Sequence, residues 1–121
     1  MGITRVAFLM YPVTEIERAC AFYRDILGLK PTAPIGQAGE AGVWIEFEVD
    51  GATFGIGSFE QAGKPGRAES LALEVDDFAA FRTALAERGV DSSEPYETPI
   101  CWISAINDPD GNRIYLHQSK S

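Results

Sequence analysis

The chain has one histidine, His117, which follows Tyr115 by two positions and Arg113 by four. If this stretch is a strand, the three side chains share one face, because successive strand residues point to opposite sides. The face would carry a guanidinium, a phenol and an imidazole in a row. An imidazole titrates close to neutral pH and can take or give a proton. His117 is therefore the candidate catalytic group, with Glu46, Glu48 and Glu74 as carboxylates that could work beside it. Phe8, Trp44 and Trp102 add aromatic surface. Rings combined with carboxylates suit a flat or cationic organic molecule, through stacking and cation–π contact. Each of these residues also has a plainer role. The aromatic rings could pack, the two glutamates could face water from an edge strand, Arg113 could pair with Glu74, and His117 could be structural. Cys101 would be a nucleophile only beside a base that lowers its pKa; no base adjoins it in sequence, so it reads as a buried thiol. Cys20 and Cys101 lie too far apart to suggest a disulfide framework or a zinc pattern. Gly55 and Gly57 sit within a strand hairpin with no following helix, which is not a phosphate-cradling loop.

The elements that must position these groups follow from periodicity and turn chemistry. Residues 4–11 are a mostly apolar run of strand length, ended by Pro12. Thr14 and Glu17 have the spacing of a capping box, and Ile16, Ala19, Cys20, Tyr23, Ile26 and Leu27 follow at helical intervals up to Gly28. Residues 32–42 suggest a short edge strand or loop. A strand follows over Val43–Val49, then an Asp50-Gly51 turn and a returning strand over Ala52–Ser58. Residues 60–69 are polar, contain Gly63, Pro65 and Gly66, and form the expected linker. The order then repeats. Ser70–Val75 is a strand, Asp76 or Asp77 caps a helix bearing Phe78, Phe81 and Leu85, and Gly89 closes it. Ile100–Ile106 and Arg113–Gln118 are strands around an Asp108-Pro109-Asp110-Gly111 turn. The two copies of strand, helix, strands are offset by roughly 60 residues, which argues for a paired-module domain.

Bulk properties exclude several classes. With 121 residues, 45% hydrophobic and 23% charged, the chain suits one globular domain. Its net charge of −8 opposes phosphate backbones, so no nucleic-acid partner is expected. No apolar run approaches the roughly 20 residues of a membrane span, and no membrane partner is expected. The N-terminus has no secretory pattern, and a cytoplasmic location is the expectation.

The stretch Glu17–Leu29, with Phe22-Tyr23 and its Leu27-Gly28-Leu29 ending, resembles the first helix of the vicinal oxygen chelate superfamily: glyoxalases, bleomycin-resistance proteins and extradiol dioxygenases. Asp108-Pro109-Asp110-Gly111-Asn112-Arg113-Ile114-Tyr115-Leu116 resembles the hairpin into its last strand. The resemblance, with the element order, covers nearly the whole chain. It implies an α+β fold of two βαβββ modules, residues 1–59 and 70–121, joined by the linker at 60–69, their curved mixed sheets enclosing a cavity. It also implies a homodimer.

Metal-dependent members of that superfamily place ligands in the first and last strand of each module. By the resemblance these positions fall on Phe8, Gly55, Ser70 and Tyr115, which form no ligand set for a divalent ion. No cofactor is therefore expected; a divalent metal held by His117 with glutamates is the alternative. Strand alternation then gives a cavity wall. Phe8, Trp44, Glu46, Glu48, Ser70, Glu74, Trp102, Arg113, Tyr115 and His117 are the expected ligand contacts, with Val6, Met10, Ala72 and Ser104 on the same faces and Gly55 and Gly57 leaving room. Such a wall fits a small organic ligand, aromatic or cationic, held without chemistry. The rival reading is an enzyme, a lyase, isomerase or dioxygenase, working with a metal or with His117 as base.

Overall fold

The computed structural model of the chain describes residues 2–32 and 44–120. Most of the expected loop at 32–42, and Val43, lie outside those residues.

The first strand, β1 (Leu9–Pro12), pairs in parallel with β4 (Ala52–Gly57), which runs antiparallel to β3 (Trp44–Val49). A two-residue edge strand, β2 (Lys30–Pro31), completes a sheet ordered β1-β4-β3-β2. The turn between β3 and β4 uses positive φ at Asp50 (48°) and Gly51 (88°), the geometry that suits right-twisted hairpins. Strand β1 is shorter than the apolar run at 4–11 predicts. Leu9 pairs with Phe54, so anything before Ala7 runs past the Asp50-Gly51 turn, where no strand remains to pair with. Pro12 ends the strand from within, as its last residue.

Helix α1 covers Ile16–Cys20 and widens into π-type turns over Ala21–Ile26. It ends at Gly28, whose φ of 79° few other residues adopt, with the Leu29 N–H reaching back to the Tyr23 carbonyl at 3.0 Å. The predicted capping box does not form. Glu15 is the N-cap and makes no side-chain capping bond. Instead Asp110, from the far module, accepts from the Thr14 N–H at 3.1 Å and from the Thr14 hydroxyl, with Arg18 at 3.5 Å. A carboxylate is a stronger acceptor than a hydroxyl and is favoured at the positive end of a helix.

The second module repeats the plan. Its elements are β5 (Leu71–Glu74), α2 (Phe78–Glu87), β6 (Tyr96–Glu97), β7 (Cys101–Asn107) and β8 (Arg113–Ser119), in a sheet ordered β5-β8-β7-β6. Asp77 is the residue that caps α2, accepting from the Ala80 N–H at 3.1 Å. Leu71 pairs with Ile114 as Leu9 pairs with Phe54, so the two parallel ladders are built alike. The chain is thus an α+β protein of two four-stranded mixed sheets with few helices.

Alternation explains the core. Ile45, Phe47, Phe54 and Ile56 of the first sheet and Leu71, Ile114 and Leu116 of the second are buried with Ala19, Cys20, Phe22 and Tyr23 of α1 and Phe78 and Leu85 of α2. Burying one such large side chain contributes about 2 kcal/mol. The helices therefore cover one face of each sheet and leave the other helix-free.

Polar bonds join the modules. The Tyr11 hydroxyl donates to the Arg113 carbonyl at 2.5 Å and accepts from the Leu71 N–H at 2.6 Å. Asn112 is fully buried. Its amide donates to the Pro12 carbonyl (2.7 Å) and Asp108 Oδ2 (2.9 Å), and its oxygen accepts from the Gly66 and Ala68 N–H groups at 2.9 and 3.2 Å. Tyr23 donates to Asp108 Oδ2 at 2.7 Å. Burial, above all, and then the Asp108 charge push the Tyr23 hydroxyl far above its ordinary value. The turn Asp108–Asn112 is therefore a structural knot in which the Tyr11, Tyr23, Asp108 and Asn112 side chains all find partners, while Asp110 Oδ2 is buried without one.

Candidate functional site

The antiparallel register of β7 and β8 decides which side chains meet on the helix-free face of the second sheet. Asn107 opposes Arg113, Ala105 opposes Tyr115 and Ile103 opposes His117. Residues directly opposite share a face. Tyr96 joins them through its pairing with Ile103. A hollow of about 310 Å³ lies here, with Glu94, Tyr96, Ile103, Ala105, Arg113 and Tyr115 in its lining. That volume is at the small end of organic-ligand sites.

Arg113, Tyr115 and His117 thus do stand in a row, with Ile114 and Leu116 buried behind them. The Tyr115 hydroxyl beside Arg113 is the first cause holding that guanidinium above its ordinary value. His117 stands further along the row, where its Nδ1 meets Glu74 Oε1 at 2.5 Å. Glu74 Oε2 accepts from the Ser119 N–H at 2.7 Å. That backbone bond first, and His117 second, hold the Glu74 carboxyl below its ordinary value. A carboxylate on Nδ1 fixes the orientation of the ring and leaves Nε2 as the nitrogen that Glu74 does not engage. Arg113 does not pair with Glu74; among the described residues no carboxylate lies within 4 Å of it in an ion pair.

Other expected contacts fall elsewhere. Trp102 and Ser104 alternate onto the helix side, because they oppose Gln118 and Leu116, though Ser104, with Ser93, still contributes to the edge of the hollow. Trp102 packs on the core with the Lys120 ammonium 4.8 Å from its ring centre, and Lys120 pairs with Glu97 at 2.6 Å. Ser104 is buried and donates to the Ser93 carbonyl at 2.6 Å. Ser70 precedes β5, is exposed and lies beside the Tyr11 hydroxyl. Cys101 is buried with the Thr98 hydroxyl, not a base, at 3.2 Å.

On the first sheet, Trp44 and Glu46 share the helix-free face with Gly57 and Gly55, which they oppose, and Glu48 is exposed on the same side. Met10, opposite Gly55, joins them. Phe8 is half-exposed just before β1. The glycines do not leave open room. A Cβ on Gly57 would come within 2.7 Å of the Phe59 ring and 3.1 Å of Met10 Sδ, so Phe59 already fills that place. Its centroid is 6.0 Å from that of Trp44.

Sequence reasoning missed Phe59, Tyr96, Ile103 and Ala105. The first lies beyond a strand end and carries no periodic signal. Ile103 and Ala105 follow from the hairpin, since a turn closing at Asn107 and Arg113 puts Ala105, not Ser104, opposite Tyr115; Tyr96 follows only from its separate pairing with Ile103.

The superfamily's four metal-ligand positions hold Phe8, Gly55, Ser70 and Tyr115. Two of these offer no donor and two offer neutral hydroxyls, so they do not fit a divalent ion. Among the described residues no group of three or more His, Cys, Asp or Glu could hold a metal. No helix among them is long and apolar enough to cross a membrane.

Two βαβββ-ordered modules with this hairpin knot define the class. The family model described as glyoxalase/bleomycin resistance protein/dioxygenase superfamily matches residues 5–116, and the chain belongs to that superfamily. No curated protein matches it. Among solved structures it is similar to TnmS3, an antibiotic binding protein from Streptomyces sp. CB03234, at 33% identity over 99% of both chains with a TM-score of 0.85. A glyoxalase/bleomycin resistance protein from the same Streptomyces is also 33% identical, over 92% of this chain and 97% of that one, with a TM-score of 0.79. A lactoylglutathione lyase from Agrobacterium tumefaciens shares the fold at 16% identity, over 98% and 96% of the two chains, with a TM-score of 0.78.

Proposed function

We propose that the chain binds a small organic molecule, aromatic or cationic, on the helix-free face of the second sheet, and does so without the superfamily's metal. The observation that carries this is the hollow lined by Tyr96, Tyr115 and Arg113, at a place where neither strand presents a ligand set. The antibiotic-binding description of TnmS3, at 33% identity over nearly the whole chain, supports sequestration as the use of such a pocket. Expressing the chain in a susceptible bacterium with a panel of aromatic antibiotics tests it. The expected result is protection, with the antibiotic recovered intact after the protein is denatured. Recovery of a chemically altered antibiotic, or no protection across the panel, would contradict it.

The active form is a homodimer. Trp44 and Tyr96 stand on the helix-free faces 44% and 68% exposed, unusual for large rings, and a second copy laid across them would cover both and close the hollow. A monomeric mass by light scattering would refute this.

One observation favours a second reading, metal-free catalysis: the Glu74 carboxylate holds His117 by Nδ1. In that reading His117 is a general base for a lyase or isomerase step. Turnover lost in His117→Ala with ligand binding retained would establish it.

A further inference from the structure

Arg113 opens β8 with its backbone fixed from both sides. Its N–H donates to the Ala68 carbonyl at 2.7 Å, and its carbonyl accepts from the Tyr11 hydroxyl, itself held by the Leu71 N–H. The side chain of the preceding residue, Asn112, is pinned by four hydrogen bonds. The stem of the guanidinium therefore starts from a point that cannot drift. The side chain lines the hollow beside Tyr115, and no carboxylate among the described residues pairs with it within 4 Å. A guanidinium has five N–H donors in a planar fork, and one phenol oxygen leaves most of them for a ligand.

The acids that suggested a cationic ligand do not answer to this position. Glu46 and Glu48 stand on the first sheet, and both Glu74 oxygens are engaged, by His117 and the Ser119 N–H. Glu94 does line the hollow and opposes an anion there, and Glu69 acts on Arg113 at longer range.

Resting on the pocket proposed above, we infer that Arg113 is an anion anchor: the ligand is a flat aromatic molecule bearing a carboxylate or phenolate, its ring against Tyr115 and Tyr96 and its oxyanion on the Arg113 fork. Guanidinium and carboxylate match in geometry and bind through paired charge-assisted hydrogen bonds.

Calorimetric titration of the full chain with 2-naphthoate, 2-naphthamide and 2-naphthylmethylammonium tests the anchor, since these share a ring and differ in charge. Naphthoate should bind roughly tenfold tighter than the amide, with the ammonium weakest. Arg113→Gln should erase the preference for naphthoate over the amide, Arg113→Lys should keep part of it, and Glu94→Gln should raise it. The Arg113 side chain is exposed, so these variants should keep the wild-type circular dichroism. If naphthoate binds no tighter than the amide, or its preference survives Arg113→Gln, the anchor is wrong and the pocket stands. If none of the three probes binds, the pocket falls and the anchor with it.

Discussion

Replacing Asn112 with aspartate changes one NH₂ into an oxygen at constant shape, in a place where nothing can move aside. The residue is fully buried, and the lost NH₂ faces Asp108 Oδ2 at 2.9 Å and the Pro12 carbonyl at 2.7 Å. Two unit charges 2.9 Å apart repel by roughly 6 kcal/mol at an effective dielectric constant near 20. The pair avoids part of this by keeping one proton. Holding a proton at pH 7 on a carboxyl of ordinary value near 4 costs about 4 kcal/mol. The single proton can serve only one of the two former acceptors, which adds about 1 kcal/mol. Asn112→Asp should therefore lose about 5 kcal/mol of stability at pH 7. Its folded state binds one more proton than its unfolded state, so its stability falls by about 1.4 kcal/mol per unit as pH rises. Urea unfolding of both proteins at about pH 5.5, 6.5 and 7.5 should show the deficit shrinking by roughly 2.7 kcal/mol at the acid end. A deficit that is independent of pH, or below about 1 kcal/mol at pH 7, would refute the account of the knot.

Tyr23→Phe leaves Asp108 Oδ2 without one buried donor and should cost about 2 kcal/mol in the same assay; because Tyr23 stays protonated far above its ordinary range, variant and wild type should show equal phenolate absorbance until alkaline unfolding, and an extra ionising phenol in the wild type would contradict this. Glu74 is held below its ordinary 4.5 by the Ser119 N–H first and His117 second, so its stabilisation is present above that value and lost as pH falls through the lower folded one. The stability gap between wild type and Glu74→Gln should accordingly narrow below about pH 4.5, and a gap that widens there counts against it. Gly57→Ala puts a methyl 2.7 Å from the Phe59 ring and should shift tryptophan emission as that ring leaves Trp44, with about 1 kcal/mol lost; unchanged emission would mean that the two rings are not coupled.

What could be read from the residues differs by element, for physical reasons. On β8, apolar Ile114 and Leu116 alternate cleanly with Arg113, Tyr115 and His117, so the face each occupies was legible. On β7, Cys101, Trp102, Ile103, Ala105 and Ile106 give no polar alternation, and Trp102 was assigned to the wrong side. Only the pairing of Asn107 with Arg113 resolves it. The helix beginning after Thr14 was legible, but its cap was not, because Asp110 comes from 96 residues away and long-range acceptors leave no local spacing. Phe59 was invisible for a similar reason: it fills the space over Gly57 from beyond the strand. Glu74 was legible only as one of three carboxylates that could work beside His117; the parallel register that puts the two directly opposite was not.

The most direct test of the central claim is the affinity of the hollow for a neutral aromatic probe with and without metal. Chelator-treated protein titrated with 2-naphthamide, then again with Mn²⁺, Ni²⁺ or Zn²⁺ added, should give the same Kd within about twofold and lose it in Tyr115→Ala under every condition. Binding that appears only when one of the ions is present, or an affinity untouched by Tyr115→Ala, would contradict the account.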